Sequence, residues 1–287
     1  MIDSSTNLYA LIGNPVSGSK SPWIHNHIFE TCHLPGAYLA FDIEKDQLSQ
    51  AVVGMKALNV KGINVTIPYK TEIMTFLDEV DPLAEKLGAV NTIVCKDGKW
   101  KGFNTDGLGL IAVLKRHIAD FEEKKVLVLG AGGAARGICG ILAESGIAEM
   151  GIWNRTPERA IQLSEALNLS KSENGHIEIT PVSSVEAFIN YDVVINTTSV
   201  GMAPDIEQTP VEISSLNPDA IVCDIVYKPH KTKLIREALA NGHKVIYGIE
   251  MLLEQALLAQ KLWNGLTDEV ISKNRNELMT EFEALNK

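Results

Sequence analysis

Residues 126–137 have the sequence Val126-Leu127-Val128-Leu129-Gly130-Ala131-Gly132-Gly133-Ala134-Ala135-Arg136-Gly137, and this stretch decides the fold of much of the 287-residue chain. Its four leading apolar residues predict a buried strand, and the glycine-rich turn opens a helix. Such a turn exposes backbone N–H groups at the positive end of the helix dipole, where a pyrophosphate binds. A tight turn without a ligand is the alternative, and Ala135 takes the place of the usual third glycine. The candidate cofactor-binding residues here are Gly130, Ala131, Gly132, Gly133 and Ala134.

Six short apolar runs, separated mostly by helical stretches or loops, occupy the chain from residue 126 to residue 247. Continuous rather than alternating apolar strands are buried on both faces, which is typical of a parallel sheet covered by helices. Six such runs are what a doubly wound α/β dinucleotide-binding domain requires. The polar stretch Leu169–Gly175 is predicted to be a surface loop. The runs are Val126–Leu129, Met150–Trp153, Ile177–Ile179, Val193–Ile195, Ile221–Cys223 and Val245–Tyr247.

The residues at the end of the second run indicate which nucleotide is bound. NAD-binding domains usually place Asp or Glu about 20 residues after the glycine-rich turn, where it binds the ribose 2′-hydroxyl. This chain has Asn154, Arg155 and Thr156 instead. A carboxylate would repel a 2′-phosphate, whereas the Arg155 guanidinium would bind one, so NADP is predicted. Arg159, one turn into the next helix, either assists or is simply solvated.

The part of the chain before residue 106 mixes strands with amphipathic helices. Leu8–Ile12 is a predicted strand. Ser21 followed by Pro22 is typical of a helix N-cap and of the first helical position. A further helix is predicted from apolar residues at helical spacing. These residues are Leu48, Val52, Met55 and Leu58.

The end of the chain is predicted to be helical. Ile249–Trp263 is apolar nearly all round, which is typical of a buried helix. Thr267 is predicted to cap a last amphipathic helix that carries Ile271, Leu278 and Phe282.

The segment Gly62–Lys70 alternates apolar with polar residues. This pattern predicts a strand with Asn64 and Thr66 on one face and the aliphatic side chains, including Ile67, on the other. A proline ends the strand, and Lys70 follows at its exit. An amphipathic strand with a solvated lysine is the alternative for this segment alone.

A second short segment, Gly102–Gly107, contains Asp106. A lysine, an aspartate and several neutral hydrogen-bonding groups suit a small polyhydroxylated substrate and a proton transfer. Together the two segments resemble the patterns N-V-T-x-P-x-K and N-T-D-G of the shikimate dehydrogenase family. Residues 19–26 match the family's S-x-S-P-x-x-H-N, and residues 196–202 match its N-T-T-S-V-G-M.

The chain is therefore identified as a member of this family on motifs that run from Ser19 to Gln255. The resemblance implies a two-domain α/β fold that includes a Rossmann NADP-binding domain. It also implies reversible NADPH-dependent reduction of 3-dehydroshikimate to shikimate in the aromatic amino acid (chorismate) pathway. The implied division is a substrate-binding domain at 1–105, an NADP-binding domain at 106–248, and helices within 249–287 that pack back on the first domain.

The resemblance also implies which residues contact the substrate. The two serines would bind its carboxylate, and Asn91 would bind a hydroxyl group. Gln255 is a lone amide on an otherwise apolar helix, where burial without a partner is costly. For Tyr227, packing without substrate contact is the alternative, and His25 and Asn26 are assigned to structure. The implied substrate-binding set is Ser19, Ser21, Asn64, Thr66, Asn91, Tyr227 and Gln255.

Further residues are implied on the cofactor side. The carboxyl ends of parallel strands line the cofactor crevice, and the stretch after the fourth strand matches the family segment near the nicotinamide. Gly248 matches a family glycine in the same region. A polar turn and a simple helix-start glycine are the respective alternatives. The residues implied in the first segment are Thr197, Thr198, Ser199, Gly201 and Met202.

Lys70 and Asp106 are the predicted catalytic pair. Reduction of a ketone develops negative charge on its oxygen, which a Lys70 ammonium can stabilise and protonate. Asp106 nearby would hold the ammonium in its charged form. In the oxidative direction a neutral base is needed, and an adjacent carboxylate works against a neutral lysine. Either Lys70 or Asp106 therefore takes the proton.

Composition limits the partners. The net charge of −10 argues against nucleic acid or an anionic membrane surface. No apolar run approaches the about 20 residues that a spanning helix needs, and Met1–Ala10 lacks a signal-peptide pattern. Four scattered cysteines fit a reducing cytosol, and His/Cys metal-ligand spacing is absent, so no metal is predicted. A small-molecule substrate, a cytoplasmic location and a monomer or homodimer are expected.

Three other functions are the alternatives. A quinate/shikimate dehydrogenase of the same superfamily often accepts NAD. Arg155 favours NADP and therefore argues against this alternative. A non-catalytic NADP-binding sensor would tolerate the loss of Lys70 or Asp106, and both are present. An interaction protein without a ligand would not need a glycine-rich turn, an arginine after the second strand and a polar cleft together.

Overall fold

The structure is a computed structural model that describes residues 2–169 and 177–285. Within these ranges the chain forms two six-stranded sheets covered by helices. The surface loop predicted for Leu169–Gly175 lies, after its first residue, outside the described residues.

The first sheet is mixed. Its strands are β1 (Asn7–Gly13), β2 (Gly36–Asp42), β3 (Gly62–Val65), β4 (Glu79–Val80), β5 (Thr92–Lys96) and β6 (Lys99–Phe103). They lie in the order β2-β1-β3-β5-β6-β4. Strand β1 pairs in parallel with β2 and β3, whereas β5 pairs antiparallel with β3 and β6. This arrangement confirms the prediction of a mixed α/β region at the start of the chain.

Three helices pack with this sheet, namely α1 (Ser21–Thr31), α2 (Leu48–Ala57) and α3 (Pro82–Leu87). The apolar face predicted for α2 is confirmed for Leu48, Val52 and Met55, which are buried. The prediction is wrong for Leu58, which is 69% exposed. The helix ends at Ala57, so Leu58 falls just beyond the last helical turn and turns away from the sheet.

The second sheet is entirely parallel. Its strands are β7 (Lys125–Leu129), β8 (Glu149–Trp153), β9 (Glu178–Pro181), β10 (Val193–Asn196), β11 (Ile221–Asp224) and β12 (Val245–Ile246). They lie in the order β12-β11-β10-β7-β8-β9. The strand order reverses between β7 and β10, where doubly wound sheets bind ligands at the strands' carboxyl ends. All six predicted runs are confirmed as strands of a doubly wound sheet.

The helices that accompany this sheet are α4 (Thr105–His117), α5 (Gly133–Glu144), α6 (Pro157–Leu169) and α7 (Lys233–Ala240). Alternate side chains of β7 enter two different cores, since Val126 and Val128 pack in one cluster and Leu127 and Leu129 in another. Burial on both faces is why this strand has no polar alternation. Short 3-10 helices occur at Lys45–Gln47, Glu72–Phe76, Phe121–Glu123, Val185–Asn190 and Ile213–Ser215.

The chain ends in α8 (Gly248–Asn264) and α9 (Asp268–Leu285), as predicted. The described part divides into two compact units. The first unit contains the residues up to Asp106 and those from Leu253 onward, and the second unit contains Gly107–Leu252. Within the first unit, the Trp263 indole donates to the Ile93 carbonyl at 2.9 Å.

Candidate active site

Lys70 and Asp106 form a close ion pair in the first unit. Lys70 Nζ lies 2.6 Å from Asp106 Oδ2, and the two side chains are 32% and 28% exposed. The Lys70 carbonyl accepts from the Val90 N–H at 2.8 Å, and Asp106 lies in the first turn of α4. The backbone thus fixes both partners, while their side chains remain accessible to a solute.

The strand that leads to Lys70 is shorter than predicted. It ends at Val65, so Ile67 lies outside it and is 70% exposed. The prediction that Ile67 lies on the aliphatic face of this strand is wrong. A proline has no N–H for the sheet and restricts the residue before it, so pairing stops early. Thr66, half-buried, keeps one bond of 2.9 Å from its N–H to the Ile12 carbonyl.

Four buried polar side chains form a network beside this strand. Asn64 Nδ2 donates to Thr92 Oγ1 at 3.0 Å and to the Asn91 carbonyl at 3.2 Å. Asn91 Oδ1 accepts from the Thr105 N–H at 2.7 Å, and Asn91 Nδ2 donates to Thr105 Oγ1 at 3.0 Å. The sequence analysis did not identify Thr92 or Thr105. Thr92 directly follows the predicted residue Asn91, and Thr105 directly precedes the predicted residue Asp106.

Tyr38 is a further residue that sequence reasoning missed. Its hydroxyl donates to Asn64 Oδ1 at 2.7 Å, and burial raises the pKa of this phenol well above 10.0. The His25 ring stacks on the Tyr38 ring at 4.3 Å. Asn26 makes two bonds of 2.9 Å with the Tyr38 backbone, donating to its carbonyl and accepting from its N–H. No sequence signal distinguished Tyr38 from the other apolar and aromatic residues of β2.

Ser19 and Ser21 lie together at the start of α1. Ser19 Oγ donates to Ser21 Oγ at 3.2 Å and accepts from the Ser21 N–H at 3.1 Å. The prediction that Ser21 is the N-cap is wrong, because the helix begins at Ser21 and Lys20 holds the N-cap position without a side-chain bond. Ser19 satisfies the first orphan N–H instead, so capping does not use the Ser21 hydroxyl.

The first unit contains all the predicted catalytic and substrate-binding residues except Tyr227. Gln255 lies on α8 and is 6% exposed. Tyr227 belongs to the second unit, where it is half-buried, and burial raises the pKa of its phenol. The residues brought into the first unit are Ser19, Ser21, Asn64, Thr66, Lys70, Asn91, Asp106 and Gln255.

The glycine-rich turn connects β7 to α5 in the second unit. Gly130 has a φ of +115°, and a Cβ there would lie 2.7 Å from Thr197 Oγ1, so only glycine fits. A Cβ at Gly132 or Gly133 would meet no atom within 4 Å. Helix α5 has no side-chain cap, and this open, exposed backbone at its N-terminus fits a pyrophosphate. Ala135, in the third-glycine position, is buried in the core.

The residues after β8 lie where the sequence places a 2′-phosphate site. Arg155, Thr156 and Arg159 are exposed, and Asn154 is half-buried. Asn154 Nδ2 donates to the Thr156 carbonyl at 2.9 Å, which fixes the turn that carries Arg155. The structured turn therefore places Arg155 at the surface, where a phosphate can reach its guanidinium.

The segment 196–202 follows β10. Thr197 Oγ1 donates to the Leu129 carbonyl at 2.7 Å, which joins this segment to the strand before the glycine-rich turn. Ser199 and Met202 are exposed, and Gly201 has a φ of +88°. Gly248 begins α8, and a Cβ there would lie 2.6 Å from the Ile225 and Val226 carbonyl oxygens. Glycine is required at Gly248 by close backbone packing.

The described residues contain no group of three or more His, Cys, Asp or Glu side chains that could hold a metal ion. Among the helices that the structure describes, none combines the length and apolar character needed to cross a bilayer.

Comparison with known proteins points to one family. Residues 11–93 match the model of the shikimate dehydrogenase substrate binding domain, and residues 112–226 match the model of shikimate/quinate 5-dehydrogenase. A protein of Bacillus cereus (strain ATCC 10987 / NRS 248) called shikimate dehydrogenase (NADP(+)) is 43% identical over 264 residues, which cover 92% of this chain and 94% of the relative.

Solved structures give the same result. The shikimate dehydrogenase of Aquifex aeolicus is 40% identical, with a TM-score of 0.84, and the match covers 96% of this chain and 99% of that one. The shikimate 5-dehydrogenase of Thermus thermophilus, solved in complex with NADP(H) and shikimate, is 33% identical with a TM-score of 0.82. That match covers 95% of this chain and 99% of the other.

Proposed function

This chain belongs to the shikimate dehydrogenase family, and we propose that it catalyses the reversible NADPH-dependent reduction of 3-dehydroshikimate to shikimate. The observation that carries this proposal is the Lys70–Asp106 pair, whose 2.6 Å contact couples a proton donor to a carboxylate. Both side chains are partly exposed, as a site for a small solute requires, and Lys70 follows the short strand that contributes Asn64.

The buried network limits what its amides can offer a substrate. Asn64 uses Nδ2 for two internal bonds and Oδ1 for one, which leaves one acceptor lone pair on Oδ1. Asn91 uses one of its two Nδ2 hydrogens internally, which leaves one donor. An acceptor and a donor at fixed positions suit a substrate with both hydroxyl and carbonyl groups. The Ser21 hydroxyl adds a donor that suits a carboxylate, and Ser19 would add a second one by turning its hydrogen from Ser21 to the substrate.

Lys70 supplies the positive charge for the reaction. Its ammonium has three N–H groups, and the bond to Asp106 uses one of them. The others are free to bind the substrate oxygen, where they stabilise developing negative charge and deliver a proton. In the oxidative direction the proton returns to Lys70 or to Asp106. Comparison of Lys70→Met with Asp106→Asn decides between them, because only loss of the true base abolishes the pH dependence of shikimate oxidation.

The cofactor is NADP, whose reduced form would supply the hydride for the reduction and whose oxidised form would accept it in the reverse direction. The N-terminus of α5 and the turn from Gly130 to Ala134 would hold its pyrophosphate. Asn154, Arg155 and Thr156 would hold the 2′-phosphate, assisted by Arg159. Thr197, Thr198, Ser199, Gly201, Met202 and Gly248 would line the nicotinamide side.

The proposal assigns substrate binding to residues 1–105 with 249–287, and cofactor binding to 106–248. It places the enzyme in the cytoplasm, as a monomer or homodimer acting on a small molecule. Tyr227 is proposed as a further substrate-binding residue.

The experiment is a comparison of initial rates with shikimate and with quinate, each with NADP and with NAD, followed by NADPH or NADH absorbance. Rapid turnover with shikimate and NADP alone supports the proposal. Comparable rates with quinate or NAD would instead place the enzyme with dual-specificity quinate/shikimate dehydrogenases. No turnover in any mixture, with NADP binding intact by calorimetry, would overturn the proposal in favour of a non-catalytic sensor.

A further inference from the structure

Asp224, at the end of β11, is a fully buried carboxylate that bonds to three elements of the second unit. Asp224 Oδ1 accepts from Asn196 Nδ2 and from the Val226 N–H, each at 3.0 Å. Asp224 Oδ2 accepts from the Thr232 hydroxyl at 2.7 Å. Burial raises the pKa of Asp224 to about 6, so the group is mostly ionised at neutral pH and acts as an acceptor only.

The carboxylate dictates the orientation of the Asn196 side chain. An amide can present either its oxygen or its nitrogen to a neighbour, but an ionised carboxylate accepts hydrogen bonds and cannot donate them. Asn196 must therefore direct Nδ2 at Asp224 and Oδ1 away from it. Asn196 Oδ1 then accepts from the Thr198 N–H at 3.0 Å and from the Thr198 hydroxyl at 2.7 Å. With the amide reversed, an NH2 group would face the Thr198 N–H.

The alternation of donors and acceptors that begins at Asp224 continues through Thr198 to Val200. Thr198 Oγ1 gives its hydrogen to Asn196, so its lone pairs are free to accept from the Val200 N–H at 3.1 Å. The chain from Asp224 through Asn196 and Thr198 therefore fixes the backbone as far as Val200. One residue later, Gly201 packs on Thr232, since a Cβ there would lie 3.5 Å from Thr232 Cβ.

We propose that Asp224 is a positioning residue for the cofactor, acting through Asn196 to hold the segment 196–202 in the conformation that the nicotinamide side requires. The inference rests on the proposed function for the role of that segment. The chain of hydrogen bonds from Asp224 through Asn196 to Val200 does not depend on the proposed function. It can be tested in the protein without cofactor.

The test compares Asp224→Ala and Asn196→Ala with Asp224→Asn and Thr232→Val. Asp224→Asn is the conservative variant, because the Val226 N–H keeps the oxygen of the introduced amide directed at Val226 and Asn196. Thr232→Val is the control for a purely structural effect. It keeps the shape against Gly201 but removes the hydroxyl that bonds Asp224 and caps α7, where Thr232 Oγ1 accepts from the Ile235 N–H.

The first readout is amide hydrogen exchange of Thr198 and Val200 in the cofactor-free protein. Loss of a bond to a charged group predicts exchange that is faster by about tenfold or more in Asp224→Ala and Asn196→Ala. The double Ala variant should exchange no faster than either single variant, because both changes break one chain of bonds. Thr232→Val and Asp224→Asn should stay within about threefold of the wild type. Wild-type exchange rates in Asp224→Ala, or additive effects in the double variant, would overturn the proposal.

The second readout is turnover together with NADP affinity. A misplaced segment predicts a kcat lower by about ten- to hundredfold in Asp224→Ala, with a much smaller change in the Kd for NADP. Thr232→Val should lower Tm while kcat is retained. Equal loss of kcat in Thr232→Val would show a merely structural role and overturn the inference. An inactive wild type would contradict the proposed function instead. The exchange data would still show whether the bonds of Asp224 and Asn196 hold the segment 196–202.

Discussion

His25 Nδ1 and Gln260 Nε2 lie 3.0 Å apart, although 235 residues separate them in sequence. Gln260 Oε1 accepts from Asn264 Nδ2 at 2.8 Å, and Asn264 Oδ1 accepts from the Tyr9 hydroxyl at 2.9 Å. In this chain of bonds the Gln260 amide presents its nitrogen to His25. With that orientation His25 Nδ1 accepts, so in the neutral imidazole the proton is on Nε2.

We expect His25 to remain the neutral Nε2–H tautomer between about pH 5 and pH 9, because burial lowers its pKa to about 3. Nitrogen NMR of histidine-labelled protein measures the tautomer. Because the pKa is lower in the folded than in the unfolded state, this group lowers the free energy of unfolding as pH falls below about 6.5. Titration of the His25 signals near neutral pH would contradict the assignment.

Replacement of Lys70 by Ala is expected to reduce kcat by ~10²–10⁴, because the general acid and the charge beside the substrate oxygen are lost. The Kd for shikimate, measured by calorimetry, should change far less. Lys115→Ala is the matched control, since Lys115 also forms a 2.6 Å ion pair, with Glu122, on the surface of the second unit. An unchanged kcat in Lys70→Ala, or an equal loss in Lys115→Ala, would refute the catalytic role.

Arg155→Ala is expected to raise the Kd for NADP about tenfold to over a hundredfold, because one charge-assisted bond contributes ~1.5–3 kcal/mol. The exposed position of Arg155 favours the lower end of that range. The Kd for NAD, which lacks the 2′-phosphate, should not change. Arg159→Ala, measured in the same way, shows whether the second arginine contributes. A parallel weakening of NAD binding would indicate damage to the turn rather than a lost phosphate contact.

Asp224 should make the protein less stable as pH rises from about 4 to about 6, because burial raises its pKa from 3.8 to about 6 and ionisation is then unfavourable in the folded state. At 1.36 kcal/mol per pKa unit this amounts to about 3 kcal/mol. Urea unfolding of wild type and Asp224→Asn across this interval measures it. The difference in unfolding free energy should shift in favour of the variant as pH rises, and a constant difference would contradict the assignment.

The second sheet could be predicted because its signals are local. Val126 to Leu129 are apolar without alternation, and the glycines after them require a turn that other residues cannot make. The pair of Lys70 and Asp106 could be found because each lies in a distinctive short motif. Their 2.6 Å contact is a tertiary relationship, and the spacing of 36 residues does not by itself determine it.

Other parts of the site depend on side-chain hydrogen bonds between distant elements. In the sequence Tyr38 is indistinguishable from any other aromatic residue of a strand, and its role follows only from the bond of its hydroxyl to Asn64. Asp224 is likewise an ordinary carboxylate at a strand end, and its role follows only from its bond to Asn196. The N-cap prediction for Ser21 is wrong because the helix already begins at Ser21, whose N–H donates to Ser19 Oγ. Local propensity does not determine whether Ser19 or Ser21 bonds a backbone N–H at the start of α1. The path of the chain into this helix determines it.

The contact of Trp263 with Gly62 affects how the chain folds as it is made. A Cβ at Gly62 would collide with the Trp263 ring, so the indole lies directly on β3. Trp263 emerges from the ribosome about 200 residues after Gly62, a delay of about 10–40 s at 5–20 residues per second. The whole of Gly107–Leu252 is synthesised within that interval. The unit encoded second can therefore complete its sheet during translation, while the unit encoded first must wait for the last helices.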